Sequence, residues 1–141
     1  GRPFGGVMVL INNNLQKVTR TLYTSDRCII VKVLNYLLVN VYLPCVGTDD
    51  RMLLIEDVLA VIYNYVADFP DCTCLIGGDF NCDLDSVAES ASLINNFALN
   101  NNLTRSDKLT GFSKVSTYVN TALHCDSCLD YFLICNVSLV N

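Results

Sequence analysis

An apolar run, Cys74-Leu75-Ile76-Gly77, passes directly into Gly78-Asp79-Phe80-Asn81. No other stretch of the chain limits its fold as tightly. A short apolar run bounded by turn formers reads as a buried strand. This strand is expected to end in a glycine turn that presents an acid and an amide side by side. The carboxylate can hold a water or a metal ion, and the amide can orient what the carboxylate activates. The simpler alternative is a turn in which Asp79 and Asn81 satisfy nearby backbone groups.

Strand and helix signals surround this segment. Val7 to Ile11 is a short apolar strand candidate, closed by Asn12-Asn13-Asn14. Cys28 to Leu34 and Leu37 to Leu43 are β-rich runs separated by Asn35-Tyr36, a hairpin signal. Thr48-Asp49-Asp50 reads as a helix N-terminus with a capping hydroxyl and early acids. Met52, Ile55, Leu59, Ile62 and Val66 follow at helical spacing, and Pro70 lies past their end. Cys72 to Ile76 is the next strand, followed by a polar, acidic loop from Asp79 to Glu89. Ala91 to Leu99 carries a weaker helix signal. Ser116 to Val119 and Leu129 to Cys135 complete the strands. Strands dominate and helices interrupt them twice. That order predicts an α/β layered domain with a mixed sheet, since hairpins and crossovers are both present.

Composition removes several function classes. The chain is 52% hydrophobic, which excludes a disordered segment. No apolar run approaches the ~20 residues of a membrane span. The net charge of −5 argues against a broad basic face for nucleic acid. It does not argue against a metal-dependent phosphodiesterase, because such sites are acidic and the cation reverses the local sign. Eight Cys is many for this length. Cys28, Cys74 and Cys135 fall in apolar runs, where free Cys acts as a small hydrophobe. The expectation is reduced thiols in an intracellular protein, nuclear or cytoplasmic.

Three further segments hold groups suited to chemistry. In Val39-Asn40-Val41-Tyr42-Leu43-Pro44, alternation puts Asn40 and Tyr42 on one face and Val39, Val41 and Leu43 on the other. A Tyr hydroxyl in a cleft could donate to a phosphate oxygen; a sheet Tyr packed at a strand end is the alternative. Asp130 opens the apolar run Leu129-Asp130-Tyr131-Phe132-Leu133-Ile134. Buried without a partner it would be costly, so it calls for a metal, a His or another partner; an exposed edge acid is the alternative. Thr117-Tyr118 lies nearby in sequence, with hydroxyls that could face a phosphate. Gly1-Arg2-Pro3-Phe4-Gly5-Gly6-Val7 is a glycine-rich lead into a strand and lacks Walker or Rossmann spacing.

Together these segments resemble the endonuclease/exonuclease/phosphatase superfamily. Gly78-Asp79-Phe80-Asn81 is similar to its catalytic tetrad, Asn40 to Pro44 to its Asn-x-Tyr-x-Pro strand, and Ser127 to Leu133 to its late Leu-Asp-Tyr strand. Gly1 to Val7 is similar, more narrowly, to the Gly-Arg-Pro-x-Gly-Gly segment of endonucleases from non-LTR (LINE-type) retrotransposons. The resemblance implies a four-layered α/β sandwich, with residues 1–141 as a single domain truncated at both ends. It implies hydrolysis of a phosphodiester with Mg²⁺, or Mn²⁺ in its place, and a DNA substrate nicked to prime reverse transcription. Asp79 would hold the metal and activate or orient water. Asn81 would position water and phosphate, Tyr42 would hydrogen-bond the phosphate, and Asp130 would orient a catalytic His. Asn40, Thr117 and Tyr118 would contact substrate. No membrane or obligate protein partner is implied.

Two features of that family have no counterpart. Its metal-binding Glu precedes the glycine-rich segment, and its catalytic His follows the late strand. His124, the one His, precedes Asp130 and reads as a solvated loop residue. The chain alone is therefore expected to be nearly inactive and poorly soluble. A zinc site from His124, Cys125 and Cys128, with Cys72 and Cys74, is a separate alternative, though only one Cys-x2-Cys pair is present. Another phosphoester substrate (a lipid or inositol phosphate, or RNA) and an inactive decayed element complete the set.

Overall fold

The computed structural model describes residues 6–110, 115–122 and 124–135. Its strands are β1 (Thr19–Thr24), β2 (Cys28–Val33), β3 (Tyr36–Tyr42), β4 (Thr73–Asp79), β5 (Leu103–Arg105), β6 (Tyr118–Asn120), β7 (Cys125–Ser127) and β8 (Asp130–Cys135). Its α-helices are α1 (Arg51–Asp68), α2 (Glu89–Asn100) and α3 (Ser106–Thr110). Six strands form one mixed sheet in the order β1-β2-β3-β4-β8-β5, and β6 pairs with β7 in a two-stranded sheet. Within the large sheet β3 and β4 run parallel and the other neighbours antiparallel. Parallel neighbours need a crossover, and α1 provides it.

Alternation assigns the faces. Leu37, Val39 and Val41 of β3 share a side with Cys28 and Ile30, Cys74 and Ile76, and Tyr131 and Leu133. All are buried in one cluster with Ile55, Val58, Leu59 and Ile62 of α1 and Ala91, Ile94 and Ala98 of α2. Each large aliphatic side chain buried there contributes ~1.5–3 kcal/mol relative to exposure. Burial raises the Cys28 and Cys74 thiols to about 12, which suits their reading as small hydrophobes. The molecule is thus a mixed α/β fold with α1 and α2 on one face of its main sheet. The second large sheet of a four-layered sandwich is not formed by the described residues.

Several local expectations need correction. Val7 to Ile11 forms no strand and pairs with none among the described residues, and Met8 and Leu10 are 69% and 83% exposed. A strand requires a ladder partner; this segment has instead an Asn40 Nδ2 bond to the Met8 carbonyl at 3.0 Å. The hairpin closes with Val33 opposite Tyr36, so its turn is Leu34-Asn35, with Leu34 at φ 53°. That is one residue earlier than the turn read from the sequence; burial of Leu37, Val39 and Val41 fixes the register. Helix α1 begins as expected, but Asp50 enters it at φ 53° with no side-chain cap bond. Capping needs an extended backbone at that position, which a left-handed Asp50 does not offer.

Arg105 is the one charged side chain buried among the described residues, at 6% exposure. Its Nε and Nη2 reach the Asp107 carboxylate at 2.7 and 2.8 Å, and Nη2 reaches Asp85 at 3.0 Å. The hydrogen bonds from Arg105 hold Asp107 below the ordinary carboxylate value. A lowered folded-state pKa contributes stability above the ordinary Asp value and loses it as pH falls through the folded one. Urea midpoints are therefore expected to fall as pH drops below ~4. Arg105→Ala should remove that part of the acid sensitivity and cost roughly 1–3 kcal/mol at pH 7, less than a fully buried pair because Asp85 and Asp107 keep solvent contact. An unchanged midpoint in the variant would contradict this role.

Candidate active site

The sheet face turned away from the helices gathers most of the sequence candidates. On β3, β4 and β8, Tyr42 lies opposite Asp79, and Asp79 lies opposite Asp130. The adjoining row on the same face is Asn40, Gly77 and Phe132. Three segments far apart in sequence thus place a phenol and two carboxylates in one line across the sheet. Arg27, just before β2, extends the line: the Tyr42 amide donates to its carbonyl at 2.9 Å, and its guanidinium lies 6.0 Å from the Tyr42 ring centre. No sequence motif points to Arg27.

The tetrad does not form a glycine turn. Gly77, Gly78 and Asp79 belong to β4. Gly78 has φ +138°, and a Cβ there would fall on the Val41 carbonyl of β3. A Cβ at Gly77 would fall on the Phe132 ring. The glycines therefore permit close approach of neighbours, and the chain turns only after them. Phe80 points into the core, 1% exposed, and stacks on Tyr131 at 4.1 Å between ring centres. With Phe80 anchored inward, Asp79 and Asn81 are left near the open end of the strand. The Asn81 amide donates to Asp79 Oδ1 at 2.8 Å, and Asn81 Nδ2 donates to the Leu43 carbonyl at 2.8 Å. The Leu43 amide in turn donates to the Asp79 carbonyl at 2.9 Å. The local turn bonds of the simpler reading are present, yet Asp79 Oδ2 has no hydrogen-bond partner among the described residues.

Burial, and then the neighbouring Asp130 charge, push the Asp79 carboxyl above its ordinary value, while the Asn81 amide pulls the other way. Asp130 is exposed, so it escapes the burial cost anticipated from its apolar neighbours. Thr117 Oγ1 accepts from the Leu129 and Asp130 amides at 2.9 and 3.0 Å, so Thr117 fixes the start of β8. Tyr118 is exposed on β6, next to it in sequence. His124 is exposed between β6 and β7.

The donors at Asp79, Asn81 and Asp130 are oxygens, apart from the amide nitrogen already bonded to Leu43. Among the described residues no group of three or more His, Cys, Asp and Glu converges, which gives the zinc alternative no support. Mg²⁺ asks less of the protein: one or two carboxylates, with water and phosphate completing its shell. Asp79, with its free oxygen, fits that demand.

No protein-family model and no curated protein matches the sequence. Solved structures do match. The endonuclease domain of TRAS1, a telomere-specific non-LTR retrotransposon, superposes with a TM-score of 0.68, at 14% identity over 94% of this chain and 66% of that one. The Neisseria 3′ phosphatase NExo, bound to product DNA hairpin, superposes at 0.61 with 12% identity over 84% of this chain. The chain spans 58% of that structure. The Neisseria meningitidis 3′-5′ exonuclease NExo also gives 0.61, at 15% identity over 78% of this chain and 52% of that one. Among the described residues no helix is long and apolar enough to cross a membrane. The architecture is therefore the fold that these three structures share.

Proposed function

We propose that this chain is the core of a metal-dependent phosphodiesterase, the DNA-nicking endonuclease of a non-LTR retrotransposon. The observation that supports it most is the Tyr42-Asp79-Asp130 row with Asn81 at its end. Asp79 would hold the ion through its free oxygen and orient the attacking water. Asn81 would steady the water and phosphate, and Tyr42 would donate to the phosphate oxygen as charge builds there. Asp130 would orient a His supplied from outside the described residues. Asn40 would brace the Met8 segment beside the substrate, and Thr117 and Tyr118 would border it. A bound Mg²⁺ or Mn²⁺ supplies charge neutralisation and Lewis acidity. The nick would leave a 3′ hydroxyl to prime reverse transcription.

A second reading, removal of 3′ phosphates or terminal nucleotides, is favoured by the likeness to NExo. The substrates separate the two. The full protein in Mg²⁺ should relax supercoiled plasmid to open circles, stop on chelation, and act weakly on a 3′-phosphorylated oligonucleotide. The reverse preference would support the second reading.

A further inference from the structure

Arg51 is the first residue of α1, where a cation opposes the helix dipole. Helix formation therefore gives no reason for it. Its tertiary contacts do. Arg51 Nε donates to the Pro44 carbonyl at 2.9 Å, and Arg51 Nη2 donates to the Asn81 carbonyl at 2.9 Å. These carbonyls belong to the chain leaving β3 and the chain leaving β4. The same two segments are joined by Asn81 Nδ2 to Leu43 and by the Leu43 amide to Asp79. We infer that Arg51 is a positioning residue, a two-pronged clamp that holds the Asp79–Asn81 segment in register with the end of the Tyr42 strand. Its catalytic consequence rests on the proposed phosphodiesterase function.

The planar guanidinium suits this task, because one rigid fork presents several N–H groups at fixed angles. An ammonium is a point donor and cannot reproduce both contacts in that geometry. Both prongs end on backbone carbonyls, so loss of the clamp would displace Asn81 and Asp79 without removing any group assigned to touch substrate. Displacements of about 1 Å in a positioned site cost ~100-fold in rate.

The test compares Arg51→Lys and Arg51→Ala in the full protein, with two readouts. Steady-state cleavage in Mg²⁺ should show kcat lowered ~10–100-fold in both variants, with KM within about twofold. Ethylguanidinium should restore part of the rate to Arg51→Ala and none to Asp79→Ala. Amide exchange at Asn81 should be at least ~10-fold faster in Arg51→Ala, while the buried β3 amides keep their protection. Arg51→Lys retains the charge and guards against a simple failure to fold. An unchanged kcat in both variants, or unchanged Asn81 exchange, would overturn the inference. If the unaltered protein cleaves no phosphodiester, the functional reading falls separately, and Asn81 exchange alone decides the clamp.

Discussion

Asp79→Asn is expected to lower phosphodiester cleavage by ~1,000-fold or more while leaving the fold at least as stable as before. The two halves of this result have one origin. Burial and the Asp130 charge both disfavour the ionised Asp79 carboxyl. A carboxyl whose folded-state pKa is raised contributes stability at low pH and loses it as pH rises through that value. At pH 7 the ionised form is therefore a burden on the fold. An amide of the same shape relieves it, and its oxygen can still accept from the Asn81 amide. What it cannot do is take a proton or hold a cation as a carboxylate does. Stability given up for function is a common feature of active sites. Kinetics and thermal melting of the same preparation check the prediction. A variant that keeps its rate would remove Asp79 from its catalytic role, and one that loses stability would show that its ionised carboxyl does not burden the fold.

Gly78→Ala is expected to cost about 3–5 kcal/mol, close to the whole stability of a marginal domain. The backbone at φ +138° is one that L side chains rarely adopt. The added methyl would also meet the Val41 carbonyl, a backbone group in the middle of a sheet that cannot swing aside. Gly77→Ala makes an instructive comparison. Its methyl would meet the Phe132 ring, and that ring is 52% exposed and free to rotate outward. The cost at Gly77 should be nearer ~1 kcal/mol. Equal costs in urea titrations would show that the β3–β4 approach is not what demands glycine.

Much of this arrangement is legible in the sequence because it is local. The alternation of Val39, Val41 and Leu43 against Asn40 and Tyr42 predicts their faces, and the structure follows it. The spacing of Ile55, Leu59 and Ile62 predicts α1 and its buried stripe. The apolar runs at β4 and β8 are equally plain. What escapes is set by partners remote in sequence. β1 is mostly polar and exists by pairing with β2 across a register shift near Leu22. β5 and β7 are three residues each, too short for any period. Val7 to Ile11 has the pattern of a strand without a partner among the described residues. At the site, residue types name Asp79, Asn81, Tyr42 and Asp130, but only sheet register aligns Tyr42, Asp79 and Asp130. That the Thr117 hydroxyl oxygen holds the start of β8 carries no signal in the sequence. Arg51 and Arg27 carry no signal in sequence, since an Arg at a helix start or a strand start reads as a solvated charge.

The most direct measurement is nicking of supercoiled plasmid in Mg²⁺ by the full protein, beside its Asp79→Ala and Tyr42→Phe variants. Open circles are expected from the unaltered protein, none from Asp79→Ala, and a rate lowered ~10–100-fold from Tyr42→Phe. Undiminished nicking by Asp79→Ala, with all three proteins folded, would contradict the assignment of this sheet face as the hydrolytic site.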